Sequence, residues 1–228
     1  MDQSAVSVET LANADAVARR AAREILASAA RAIAARGRFR IVLAGGTTPL
    51  AAYGDLVGGD AGWDAWEVYF GDERCLPPDD AGRNSLAAAR ALLGRVRMAP
   101  HQIHPIPAEL GPELAAAAYA RTIEPALPFD LVLLGMGEDG HTASLFPGRV
   151  MAADALVVPV REAPKPPPER VSLTPRALAA CREMLVLVTG AAKRQAFSAW
   201  RNGEDLPIAR VARAGRARVL VDREAAGE

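Results

Sequence analysis

With 228 residues the chain is long enough for one sizeable α/β domain with a real core and too short for two large ones, so a single domain over 1–228 is expected. Its 27 Lys and Arg balance 27 Asp and Glu, which leaves no global field to favour nucleic acid or an anionic membrane; any anion site must be local. Apolar runs fall far short of the roughly 18 residues that span a bilayer, and Met1 to Ala5 shows no basic segment leading into a continuous apolar stretch, so no secretory signal is expected and the cytoplasm is the default. Cys75 and Cys181 lie far apart and match no metal-ligand spacing, which predicts reduced thiols and implies neither metal nor cofactor.

From Leu11 to Arg36, Val17, Ala21, Ile25, Ala29 and Ile33 recur at four-residue steps, which predicts an amphipathic helix stopped by Gly37. Phe39 to Ala44 reads as a strand running into Gly45-Gly46-Thr47-Thr48-Pro49 and a helical stretch with Tyr53. Pro49 suits the first turn there, where its missing N–H would have no partner. Trp66 to Phe70 is a second strand, followed by Gly71-Asp72-Glu73-Arg74 and a Pro77-Pro78-Asp79-Asp80 turn. Helices are expected over Asn84–Leu93 and Pro112–Leu127, with Pro100 to Pro107 as a loop holding a short extended piece.

Leu131 to Leu134 is a short apolar run of the kind buried on both faces of a parallel sheet, and it opens into Gly135-Met-Gly-Glu-Asp-Gly-His-Thr-Ala-Ser-Leu-Phe-Pro-Gly148. Ala155 to Val160 reads as extended and Pro164 to Pro168 as a surface loop. Val171 to Thr174 is a candidate strand, after which Thr174-Pro175 caps a helix through Arg182. Met184 to Thr189 is a buried-type strand ending in Gly190-Ala-Ala-Lys193 and a helix through Trp200. Arg218 to Asp222 is a last strand. The alternation predicts a mostly parallel sheet with helices on both faces. Four strand ends, after Ala44, Phe70, Leu134 and Thr189, collect nearly all the reactive polar residues, and in a parallel sheet they share one edge.

Those ends suggest chemistry. Gly45, Gly46, Thr47 and Thr48 between strand and helix have the makings of an anion cradle: glycines admit close approach, a helix N-terminus aims N–H groups, and two hydroxyls add donors. Lys193 sits at a second strand-helix junction, where the helix dipole disfavours a cation unless an anion joins it. Arg74 can present its planar fork to a carbonyl or phosphate, with Asp72 accepting from sugar hydroxyls or orienting the arginine. Arg170 is a weaker candidate for the same pocket. His141 is the one histidine at a strand-end loop and can accept a proton near neutral pH; Asp139 is placed to hold its ring in one tautomer. His101 and His104 are expected to be loop residues.

Gly135-x-Gly137-x-x-Gly140 formally matches a dinucleotide fingerprint, but Pro147-Gly148 would cut the required helix short and no strand ending in an acid follows at the right distance, so NAD binding is rejected. Ser144 belongs to no nucleophile elbow. A Cys75–His141 thiol dyad has no support in the spacing.

The chain resembles the 6-phosphogluconolactonases through Leu43 to Pro49, Phe70 to Arg74, Gly135 to Gly148, Arg170 to Thr174 and Gly190 to Lys193. The resemblance implies a single Rossmann-like doubly wound domain, related to that of glucosamine-6-phosphate deaminases, whose loop is similar up to Gly140-His141 and then differs. The implied activity is hydrolysis of 6-phospho-D-glucono-1,5-lactone to 6-phosphogluconate in the oxidative pentose phosphate pathway, on a small phosphosugar lactone, by a monomer or homodimer with no nucleic acid or membrane partner. It implies His141 as general base, Arg74 as substrate and oxyanion ligand, and Gly45 to Thr48 with Arg170 and Lys193 as phosphate contacts. The family often shows Asp-Ser-Asn-Tyr where this chain has Gly82-Arg83-Asn84-Ser85, so only Asn84 matches. Two alternatives stay open: an aldose–ketose isomerase/deaminase using Asp72 as proton-transfer base, and a non-catalytic sugar-phosphate sensor.

Overall fold

The structure is a computed structural model describing residues 6–149 and 154–228; the amino-terminal five residues read above for a leader signal lie outside it. The chain runs β1 (Ser7–Leu11), α1 (Ala14–Arg36), β2 (Phe39–Leu43), α2 (Thr47–Gly54), β3 (Trp66–Phe70), β4 (Asp72–Arg74), α3 (Asn84–Ala88) and α4 (Pro112–Ile123). It continues through β5 (Phe129–Gly135), β6 (Val157–Val160), β7 (Arg170–Leu173), α5 (Pro175–Ala179), β8 (Cys181–Val188), α6 (Arg194–Arg201), α7 (Pro207–Ala214), β9 (Arg218–Asp222) and α8 (Arg223–Ala226).

Six strands form one parallel sheet in the order β1-β9-β8-β5-β2-β3, and β4-β7-β6 form a small antiparallel sheet beside it. Phe129 to Leu134 of β5 are all buried. Successive side chains point to opposite faces, so both faces of the sheet are covered by helices. Val132 and Leu133 are fully buried, and each such side chain contributes roughly 1.5–3 kcal/mol by leaving water. The helix predicted from Leu11 begins at Ala14, because Asn13 accepts from the Ala16 N–H at 2.9 Å and caps it; Gly37, at φ +70°, ends it.

Strand order fixes where a ligand can enter. From β2 the chain moves outward to β3, then crosses back to β5 on the other side of β2 and continues to β8 and β9. The direction of winding therefore reverses between β2 and β5, and a crevice opens at the carboxyl ends of such a pair.

Several expectations need correction. Ser7–Leu11 is a strand, paired in parallel with β9 at the sheet edge. The helix after Thr174 stops at Ala179, and Cys181 to Glu183 join β8, where Cys181 pairs with Phe129. The helix over Asn84–Leu93 holds only to Ala88 and closes in a π turn, and the one expected to Leu127 ends at Ile123 with a 3₁₀ turn following. The segment before β9 forms α7, with Pro207 in its first turn.

Candidate active site

The crevice between the ends of β2 and β5 opens into a cavity of about 370 Å³. All four predicted strand ends line it: Gly45 to Pro49 after β2, Gly71 and Asp72 after β3, Gly135 to Gly137 with His141 after β5, and Thr189 with Lys193 after β8. The small antiparallel sheet supplies Arg74 and Arg170. Every residue proposed for the site from sequence borders it except Asp139, which reaches it through His141.

His141 Nδ1 lies 2.5 Å from Asp139 Oδ1, and the same oxygen accepts the His141 backbone N–H at 3.1 Å. Burial pushes the Asp139 carboxyl up, but the His141 N–H, the imidazolium charge and the ring hydrogen bond together outweigh it and hold Asp139 below its ordinary range. Asp139 is therefore an anionic acceptor, and the ring proton belongs on Nδ1. In the neutral ring the free lone pair is then the one on Nε2. The ring rests against Phe146, at 4.9 Å between centroids.

The loop that carries His141 is built around its glycines. A Cβ on Gly137 would come within 2.0 Å of His141 Nδ1, so the imidazole occupies the space that any larger residue would need. Gly140 adopts φ +80°, and its carbonyl accepts from Ile208 N–H of α7 at 3.1 Å, which ties the loop to the helix absent from the sequence reading.

The acidic triplet splits into separate tasks. Asp72 is buried, with Oδ2 taking the Ser144 hydroxyl at 2.6 Å and Oδ1 taking Asn84 Nδ2 at 3.1 Å. Burial drives its carboxyl upward, moderated by the Ser144 hydrogen bond and the Arg74 charge. Ser144 is thus a buried donor to Asp72, with no nucleophilic geometry. Glu73 is fully buried and accepts the N–H groups of Arg74, Asn84 and Ser85, at 2.9, 2.7 and 2.8 Å, so it caps α3. Arg83, where the chain departs from the family pattern, turns away from the cavity and donates to Leu76 O, Ile106 O and Glu109. Asn84, the position that matches, faces it, and a Cβ on Gly45 would meet Asn84 Oδ1 at 2.2 Å.

Cations crowd the wall. Arg74 and Arg170 are direct cross-strand partners on β4 and β7, an arrangement in which like charges repel. Arg74 Nη1 donates to Gly82 O at 2.6 Å, while its Nε is buried without a hydrogen-bond partner among the described residues. Arg170 lies over the Phe146 ring, and burial followed by the charge of Arg74 pulls its guanidinium below the ordinary value despite Asp72 nearby. Lys193 occupies the turn entering α6, and burial lowers its ammonium in the same sense. Thr48 Oγ1 lies 2.5 Å from Thr189 Oγ1, linking the β2 and β8 loops.

Lys165, absent from the sequence reading, also lines the cavity. Its loop is expected from sequence to be ordinary surface; hydrogen bonds from Arg170 to Lys165 O and Pro167 O, at 2.7 and 3.1 Å, help hold it at the cavity. Cys75 lies outside the lining, and burial pushes its thiol to about 11, which removes it as a partner for His141. His104 stacks on Tyr69, away from the cavity. Among the described residues no cluster of three or more His, Cys, Asp or Glu is placed to hold a metal ion, and no helix is long and apolar enough to cross a membrane.

A switch-point crevice in a parallel sheet, walled by cations and carrying one carboxylate-oriented histidine, defines an α/β protein whose cavity has the charge and position suited to a small anionic molecule. Comparison with known proteins narrows the class. Residues 12–221 match the model of the glucosamine-6-phosphate isomerases/6-phosphogluconolactonase family, and the chain belongs to that family. A 6-phosphogluconolactonase of Mycobacterium leprae is 37% identical over 243 aligned positions, covering 97% of this chain and 98% of the relative. One of Streptomyces coelicolor is 38% identical over 225 positions, covering 90% and 86%. The crystal structure of 6-phosphogluconolactonase from Thermotoga maritima superposes with a TM-score of 0.87 at 28% identity, covering 95% of this chain and 99% of that one.

Proposed function

We propose that this chain hydrolyses 6-phospho-D-glucono-1,5-lactone to 6-phosphogluconate, a cytoplasmic step of the oxidative pentose phosphate pathway, with His141 as general base. The observation that carries the reading is the Asp139–His141 pair, which leaves Nε2 as an acceptor in a cation-lined cavity. The named activity of the Mycobacterium leprae and Streptomyces coelicolor relatives supports the substrate.

A δ-lactone is an activated ester, so the reaction requires no covalent nucleophile. Water attacks C1 as Nε2 takes its proton, and Asp139 steadies the imidazolium that forms. Arg74, which borders the cavity, meets the developing oxyanion. Collapse of the tetrahedral intermediate breaks the C1–ring oxygen bond, and His141 returns its proton to the departing oxygen. Lys193 and the α2 N-terminus with Gly45, Gly46, Thr47 and Thr48 hold the phosphate, fixing C1 against the base; the first N–H groups of a helix have no intrahelical acceptor.

The deaminase alternative asks Asp72 to move a proton. Both its oxygens are already engaged by Ser144 and Asn84, which favours a structural task for it. The deciding experiment follows 6-phosphogluconolactone hydrolysis continuously against the spontaneous rate. A rate that rises in proportion to enzyme is expected, and one equal to the spontaneous rate would remove the proposal; ammonia release from glucosamine 6-phosphate would install the alternative.

A further inference from the structure

Glu138 stands between two lysines that arrive from distant parts of the chain. Lys165 Nζ is 3.4 Å from its Oε2, and Lys193 Nζ is 4.0 Å from its Oε1. The carboxylate comes from the loop after β5, Lys165 from the proline-rich loop before β7, and Lys193 from the turn into α6. Both lysines border the cavity, whereas Glu138 does not and is more than half exposed. Ion pairs this open contribute little to stability, so fold maintenance does not explain the arrangement.

The two lysines are also held in ways that ion pairing alone would not need. Arg170 fixes the backbone of the Lys165 loop through its carbonyl oxygens. Lys193 sits at a helix start, where the dipole opposes a cation, and burial lowers its ammonium even though the charge of Glu138 outweighs the repulsion from Lys165. One carboxylate shared by two ammonium groups leaves a net positive charge facing the cavity. A phosphate monoester carries three terminal oxygens, enough to engage both ammonium groups at once.

Resting on the phosphosugar reading above, we propose that Lys165 and Lys193 form a two-lysine clamp for the substrate's phosphate, and that Glu138 is its built-in competitor. The carboxylate holds both ammonium groups in position and must yield them when the phosphate docks. Glu138 therefore trades affinity for release: it weakens the hold on any phosphorylated ligand, the product included.

The test is calorimetric binding of 6-phosphogluconate and of unphosphorylated gluconate to the full chain, at one ionic strength, for wild type, Lys165→Met and Glu138→Gln. Lys165→Met is expected to weaken 6-phosphogluconate about 10-fold, the size of one charge-assisted hydrogen bond, and to reduce its preference over gluconate to match. Glu138→Gln is expected to tighten 6-phosphogluconate by roughly 3-fold or more, a gain that a misfolded variant cannot produce. Unchanged affinity in Lys165→Met, or unchanged or weaker affinity in Glu138→Gln, overturns the clamp, as does a wild type that binds gluconate equally well. If the binding pattern holds while the wild type fails to hydrolyse the lactone, the clamp stands and the lactonase reading falls; if hydrolysis is present without the pattern, the reverse holds.

Discussion

Asp139 Oδ1 and His141 Nδ1 lie 2.5 Å apart, and this contact decides which face of the imidazole can accept a proton. His141→Ala should lower kcat by about 10²–10⁴-fold, the usual range for a positioned base. Asp139→Asn should lower it by roughly 10–100-fold, because the neutral amide neither fixes the tautomer firmly nor stabilises the imidazolium. Stopped assays corrected for spontaneous hydrolysis measure both, and near-normal turnover in His141→Ala would remove the residue from the role.

Gly137→Ala tests the same geometry without touching a polar group. The added methyl would meet His141 Nδ1 at 2.0 Å, Cε1 at 2.2 Å and Asp139 Oδ1 at 2.6 Å, so the ring must swing away. Displacing a reacting group by about 1 Å costs up to 10²-fold, so kcat should drop by about 10–100-fold while the thermal midpoint changes little. Turnover like that of wild type would mean that the ring is not used where it stands.

Much of this site was readable because it is built locally: an apolar run, then glycines, then acids and a histidine, with β5 and its loop in sequence order. The shared edge followed from parallel strands alone. What escaped depended on distant partners. Ser7–Leu11 is a largely exposed edge strand whose mate among the described residues, β9, lies some 200 residues on, and five residues of mixed polarity carry no strong period. Cys181-Arg182 reads locally as the tail of a helix, and pairing with β5 overrides that local preference. Lys165 had no signal in its own proline-rich loop. Bonds that help hold it at the cavity come from Arg170. For α7, which is not among the elements expected from sequence, Pro207 followed by Ile208 and Val211 at a three-residue apolar step is the signal that could have found it.

Asp72 provides a pH test with a defined sign. Burial raises its folded-state carboxyl above the ordinary value of 3.8, so the folded protein binds that proton more tightly than the unfolded chain. Its contribution is fully present below the unfolded value and is lost as pH rises through the raised folded one. The stability of Asp72→Asn relative to wild type should therefore climb as pH rises from about 4 toward neutrality, whatever the offset from disturbing Ser144 and Asn84. Urea unfolding at several pH values measures it, and a flat or falling difference would contradict a raised carboxyl.

Arg83 should matter for folding and not for chemistry. It is buried beside Glu73, with Nε 3.3 Å from Oε2, and donates to two backbone carbonyls. Arg83→Met would leave the Glu73 charge buried without its neighbour, a change that costs about 3–5 kcal/mol. Denaturant unfolding should show that loss, with KM for the lactone near wild type in the folded fraction. A loss under about 1 kcal/mol would mean that the three N–H groups donated to Glu73 are sufficient compensation.

Arg170 and Lys165 together separate direct contact from positioning. Arg170 Nε and Nη2 are committed to the carbonyl oxygens of Pro167 and Lys165, which makes the arginine a support for the lysine that borders the cavity. Arg170→Lys keeps a cation but cannot span both carbonyls. If Arg170 acts through Lys165, the double variant Arg170→Lys/Lys165→Met should raise KM for the phosphorylated lactone no further than the worse single variant, with kcat falling less than KM rises. If Arg170 instead grips the substrate on its own, the two losses should multiply, each near 10-fold, because independent contacts add in free energy. Steady-state kinetics of the four proteins settles which of the two residues meets the phosphate.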